Sequence, residues 1–141
     1  PMAGTLGKLG AEHVWVVHGA DGLDEMTTTG PTHVAEFRNG AVRTFQVTPE
    51  ELGLKRVTLD ALKGGTPAEN AAAIRELLDG ARNAFRDIVL MNAGAALLIA
   101  GKAADHKDGV AQAAASIDSG RAKAALDKLI AITNTATAKA S

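Results

Sequence analysis

Between Val14 and Thr29 the chain reads Val-Trp-Val-Val-His-Gly-Ala-Asp-Gly-Leu-Asp-Glu-Met-Thr-Thr-Thr. An apolar run stops at Gly19. A turn follows that holds Asp21, Asp24 and Glu25, and a row of threonine hydroxyls comes next. An apolar run of this kind suits a strand buried on both faces. Gly19 and Gly22 let the backbone turn where a side chain would clash. The acids are therefore expected at the carboxyl end of a strand, where open α/β sheets place their ligands.

A hard cation needs this kind of geometry. Magnesium takes oxygen ligands, keeps several waters, and meets a protein through one or two carboxylates together with substrate phosphates. Asp24 and Glu25 are adjacent, so a regular strand would send them to opposite faces. An irregular turn lets them converge or hold separate ions. Without a metal, clustered acids would repel an anionic substrate. The competing reading is a solvated acidic turn in which Asp21 and Asp24 cap nearby backbone amides.

Around the turn, the pattern predicts a short helix over Met2–Leu9, closed by Gly10. His13–His18 is the buried strand. Roughly His33–Arg38 and Ala41–Val47 flank Asn39-Gly40, a hairpin signal because both turn residues tolerate positive φ. Thr48-Pro49-Glu50-Glu51 and Thr66-Pro67-Ala68-Glu69 share capping-box spacing with proline at the first helical position. Val57-Thr58-Leu59 reads as a short extended piece. Ala71, Ile74, Leu77, Leu78 and Ala81 recur at helical spacing, and Gly80 ends or kinks that element. Residues 83–104 are apolar all round, which predicts a central helix whose Gly94 and Gly101 permit close approach. Asp105–Gly109 reads as a polar break, followed by helices over Val110–Ile117 and Ala122–Ile132. The expected architecture is α/β: a small mixed sheet, a buried strand plus a hairpin, packed by several helices. One domain is expected over residues 1–133, with a fraying tail over 134–141 that has no apolar anchor.

Apolar residues make up 46% of the chain, but many are alanine and aromatics are only 3%, so stability must come from close helix packing. Lys and Arg total 15 against 16 acids, which argues against a broad nucleic-acid surface. The absence of cysteine excludes disulfides and thiolate metal sites and fits the cytoplasm. No membrane span and no signal peptide are expected. The opening proline points to processing or a fragment.

Val16-Val17-His18-Gly19-x-Asp21-Gly22-Leu23-Asp24-Glu25 resembles a signature of anthranilate phosphoribosyltransferase. Gly64-Gly65-x-Pro67-x-Glu69-Asn70-Ala71 with Leu78-x-Gly80 supports the likeness, as does Asn92-Ala93 followed by Ala96-Leu97. All three blocks stand in the family's order, and the likeness covers nearly the whole chain. It implies the larger α/β domain of a phosphoribosyltransferase/nucleoside phosphorylase-like fold, incomplete here and limited to its C-terminal portion. The helical N-terminal domain, the glycine-rich phosphoribosyl-diphosphate loop and the anthranilate-binding residues are then expected outside this chain, leaving the isolated chain inactive. Lys63-Gly64-Gly65-Thr66 is the nearest thing to such a loop and reads as a helix approach.

The implied activity transfers the phosphoribosyl group from phosphoribosyl diphosphate to anthranilate, giving N-(5-phosphoribosyl)-anthranilate in tryptophan biosynthesis. Asp24 and Glu25 match the adjacent acids that coordinate Mg2+ with the diphosphate. Asp21 matches a motif position without being assigned as a ligand, and no catalytic residue is named. The likeness also implies a homodimer when complete, with the missing half or another copy as partner. Two alternatives are a nucleic-acid-binding, non-enzymatic relative of the same fold and a different phosphoribosyl or nucleoside phosphorylase-type transferase.

Other residues have simpler expectations. His18 faces a phosphate or a metal's outer sphere, or is a strand-end histidine bonded to backbone. His13, His33 and His106 show no ligand spacing with one another, so no zinc site is expected. Asn92, inside an apolar helix, should bond a neighbouring turn or loop. Glu69-Asn70 either complements the positive end of its own helix or supports the acidic loop from behind. Trp15 is expected in the core with its indole N–H bonded. Arg38, Arg43, Lys55 and Arg56 look like solvated charges.

Overall fold

The computed structural model describes residues 1–138. Helix α1 (Met2–Lys8) precedes strands β1 (His13–Gly19), β2 (Thr32–Arg38) and β3 (Ala41–Val47). Two single 3-10 turns, Glu50–Leu52 and Leu59–Leu62, lead to helices α2 (Pro67–Leu78), α3 (Ala84–Ile99), α4 (His106–Asp118) and α5 (Arg121–Ala138). Two compact units can be distinguished. The first holds Pro1–Lys63 and Asn83–Ala113; the second holds Gly64–Arg82 and the residues from Ala114 on.

The first unit is built on the sheet, in order β1-β2-β3. The fold class is α/β as expected, but both pairings are antiparallel, which corrects the expected mixed sheet for the described strands. The hairpin turns at Asn39 (φ 52°) and Gly40 (φ 78°), the left-handed pair that matches strand twist. β2 is the central strand, and its alternation is clear. Thr32, Val34 and Glu36 are buried on one face, while His33 is exposed on the other. β1 is half-buried rather than buried on both faces, because it lies at the sheet's edge with β2 as its one described partner. On the covered face, the Trp15 ring meets His106 of α4 and Phe45 of β3 edge-on, at 5.6 and 5.4 Å between centroids. Met26, Val34, Ile88, Leu90 and Met91 fill the core here. On the other face, α1 lies so close to β2 that a Cβ at Gly7 would strike the Phe37 ring.

Local rules explain where elements stop. The Glu51 carboxylate accepts the Thr48 N–H at 2.8 Å, but Gly53 (φ 75°) limits that start to one 3-10 turn. Val57-Thr58-Leu59 forms no strand. The Val57 N–H donates once, to the Thr28 carbonyl at 3.0 Å, and Leu59 opens a 3-10 turn. Asn83 caps α3 by accepting the Arg86 N–H at 2.9 Å, and Gly101 (φ 66°) follows its end, short of residue 104. The expected polar break at Asp105–Gly109 is instead the start of α4. Asp105 accepts the Asp108 N–H at 2.8 Å, and Asp108 accepts the Ala104 N–H at 2.9 Å. There α3 and α4 touch backbone to backbone, since a Cβ on Gly94 would stand 2.7 Å from the Val110 nitrogen.

In the second unit, Thr66 and Glu69 complete a full capping box at the start of α2. Asn70 accepts the Gly65 N–H at 2.8 Å and donates to the Gly65 carbonyl at 3.1 Å. Leu77 and Ile117 are buried, and Lys123 of α5 pairs with Asp79 at the end of α2. Helix α5 runs to Ala138, past the expected end at Ile132. Residues 139–141 of the expected tail lie outside the described chain.

Candidate functional site

The acidic turn is a self-bonded loop at the carboxyl end of β1. The Gly19 N–H donates to the Leu23 carbonyl (2.9 Å), and the Gly22 N–H donates to the Gly19 carbonyl (3.0 Å) with Gly22 at φ 94°. Asp21 is its keystone. One carboxylate oxygen accepts the Leu23 N–H at 3.1 Å; the other accepts the hydroxyls of Thr27 and Thr29 at 2.7 and 2.6 Å. Slight burial pushes the Asp21 carboxyl up, but these bonds outweigh it and hold it below the ordinary value. The threonine row therefore anchors an acid, and Thr32 adds a further bond by accepting the Thr27 N–H at 3.0 Å. Asp21 performs the capping role that one sequence reading gave it.

Asn92 clamps the turn from α3. Its carboxamide oxygen accepts the Met26 N–H at 3.0 Å, and its nitrogen donates to the carbonyls of Met26 (2.9 Å) and Ile88 (3.0 Å). Met26 is fully buried. The backbone immediately after Glu25 is thus fixed to the central helix, and the buried amide finds the loop partner expected of it.

Asp24 and Glu25 are exposed, and among the described residues no hydrogen bond or ion pair engages either carboxylate. Glu25 borders an open cavity of about 460 Å3. Leu23, Leu59, Leu62, Phe85 and Ile88 form its apolar wall, and Asp60 and Lys63 stand at its polar rim. Partial burial, then repulsion from Asp24 and Asp21, pushes the Glu25 carboxyl above its ordinary value. Negative charge is concentrated here, and no ion pair among the described residues neutralises Asp24 or Glu25. Among the described residues no group of three or more His, Cys, Asp or Glu is placed to hold a metal. The Asp24–Glu25 pair therefore offers two carboxylates. That number fits an ion whose remaining positions are filled by water and phosphate oxygens.

His18 is exposed at the end of β1, outside the bonds that build the turn. Glu69 and Asn70 are both engaged at their own helix start. Arg56 pairs with Glu50. Arg43 is largely solvated as expected, but its guanidinium also bonds Glu36 and lies 5.0 Å over the Phe45 ring. Glu36, only 3% exposed, also accepts the Trp15 indole N–H and bonds His13 Nε2, each at 2.8 Å. Sequence reasoning overlooked this hub. The available signal was parity, because Glu36 shares the inward face of β2 with Thr32 and Val34. The rim residues Asp60 and Lys63 were also missed, since nothing in their spacing relates them to Glu25.

The chain belongs to the glycosyl transferase family, whose a/b domain is matched by residues 1–123. Within that family it resembles anthranilate phosphoribosyltransferases. It is 58% identical to the enzyme of Parvibaculum lavamentivorans over 95% of the chain, and it spans 39% of that relative's length. The crystal structure of the Thermus thermophilus enzyme superposes with a TM-score of 0.84 at 45% identity, covering 93% of this chain and 38% of the other. A structure of the Saccharomyces cerevisiae enzyme in complex with PRPP and Mg superposes with a TM-score of 0.73 at 31% identity, covering 80% and 33%. No helix among the described residues is long and apolar enough to cross a membrane.

Proposed function

We propose that this chain supplies the metal–diphosphate corner of a cytoplasmic anthranilate phosphoribosyltransferase. In that enzyme the phosphoribosyl group of phosphoribosyl diphosphate passes to the amine of anthranilate. The carrying observation is the free Asp24–Glu25 pair, held by Asp21 and Asn92 at the mouth of an open cavity. The relatives support the same reading, among them one bound to PRPP and Mg.

Cleavage at ribose C1 leaves negative charge on the departing diphosphate, and bound Mg2+ would neutralise it. The chain's own contribution is positional. Asp21, fully engaged by hydroxyl and amide donors, fixes the turn without needing a cation. Asn92 fixes its exit. Asp24 and Glu25 remain free to take the ion, so little rearrangement is needed on binding. The other ligands, the anthranilate site and the dimer contact belong to the remainder of the enzyme. Exposed Leu129, Ile130 and Ile132 on α5 support association with further protein.

The test is Asp24→Asn with Glu25→Gln in the complete enzyme. We expect Mg2+-dependent turnover to fall by about a hundredfold or more, as when transition-state charge stabilisation is removed. Unchanged magnesium dependence rejects the assignment.

A further inference from the structure

Antiparallel pairing of β1 with β2 sets His18 directly opposite His33. Residues opposed in this way project from the same face of the sheet, with Cβ atoms about 4.5–5.5 Å apart. Both histidines are exposed, at one end of the sheet face whose other end α1 covers near Phe37. They border a shallow depression of about 300 Å3. The next positions in register on that face, Val16, Ala35 and Thr44, are uncharged and of modest size. The spacing of the two rings is set by a continuous ladder rather than by a loop, because β2 is paired along its length on both sides.

A third residue completes the row. Gln46 of β3 lies opposite His33, with its carboxamide nitrogen 3.2 Å from His33 Nδ1. That contact orients the ring and leaves Nε2 available.

We propose that His18 and His33 form a surface site for a late first-row divalent transition metal (zinc, nickel or copper) completed by water. Neutral imidazole nitrogens suit these ions and offer little to magnesium. The hard-oxygen pair at Asp24 and Glu25 has the opposite preference, so the two sites sort different ions. Metal on His33 Nε2 places the ring proton on Nδ1, which then donates to the Gln46 carbonyl oxygen once the amide has turned over. Ligating histidines are commonly steadied by such an acceptor. Linear spacing hides the site, because only strand pairing brings positions 18 and 33 together.

Zinc and nickel titrations of the 141-residue chain near neutral pH, read by calorimetry, test the proposal together with copper broadening of histidine ring resonances. One equivalent should saturate the chain, and copper should broaden the His18 and His33 rings together. His18→Asn or His33→Asn, each at an exposed position and checked for folding by circular dichroism, should abolish saturable binding. Gln46→Ala should weaken it about tenfold. Asp24→Asn with Glu25→Gln should leave it intact, which separates this site from the acidic turn. Binding that survives either histidine substitution, that disappears with the acidic pair, or that never saturates overturns the proposal.

Discussion

Asp21 and Glu25 stand in one turn, yet their carboxyls are driven in opposite directions. Burial raises both, but Asp21 gains donors from Thr29, Thr27 and the Leu23 amide, whereas Glu25 gains only repulsion from its acidic neighbours. The bonded acid builds the loop, and the unbonded one is left for a ligand. Asn92 converts that loop into a fixed platform. Asn92→Ala removes its bonds to Met26 and leaves a buried backbone N–H and carbonyl unpaired. A loss of about 1–3 kcal/mol in stability is expected by chemical denaturation, with weaker Mg2+ binding by titration. A variant that binds Mg2+ as the parent does would show that the clamp has no part in positioning the acids.

At the scale of elements, Glu36 ties the sheet together by bonding side chains from β1 and β3. Burial pushes its carboxyl up, but the bonds from Arg43, Trp15 and His13 outweigh that and hold it at about 2, against an ordinary 4.5. A carboxyl depressed on folding contributes stability that is complete above its unfolded value. That contribution is lost as pH falls through the folded one. The acid-unfolding profile should therefore steepen from about pH 4.5 down to about 2. Glu36→Gln should flatten that interval and cost about 3 kcal/mol at neutral pH, the low end for a broken buried pair because Arg43 remains 69% exposed. The α3–α4 crossing rests on Gly94. Gly94→Ala forces a methyl against the Val110 backbone, and overpacking of this kind costs about 1–3 kcal/mol by thermal or chemical unfolding.

For the whole molecule, the decisive fact is that the chain spans 39% of the length of a 58%-identical relative. Two carboxylates do not complete an octahedral magnesium shell. The isolated chain should show no formation of N-(5-phosphoribosyl)-anthranilate in a direct product assay, while the complete enzyme turns over. Measurable product from the chain alone would show that the catalytic machinery lies within these residues.

The sequence by itself determined the features governed by neighbours a few residues apart. Asn39-Gly40 specified the hairpin, Thr66 and Glu69 specified the start of α2, and Gly19 and Gly22 marked the acidic turn. The same turn carried the family likeness. Tertiary structure decided what depends on residues distant in the chain. Gly94 and Gly101 look alike in sequence, but one permits a helix crossing and the other follows a helix end in the left-handed conformation. Arg43 reads only as a solvated charge until the register sets it opposite Glu36 and gives it a buried partner. Asn92 reaches Met26, and His18 meets His33, only because packing and strand pairing bring separated segments within bonding range. Local backbone preference acts along the chain, whereas burial and side-chain pairing act across space, and only the folded chain states which residues share it.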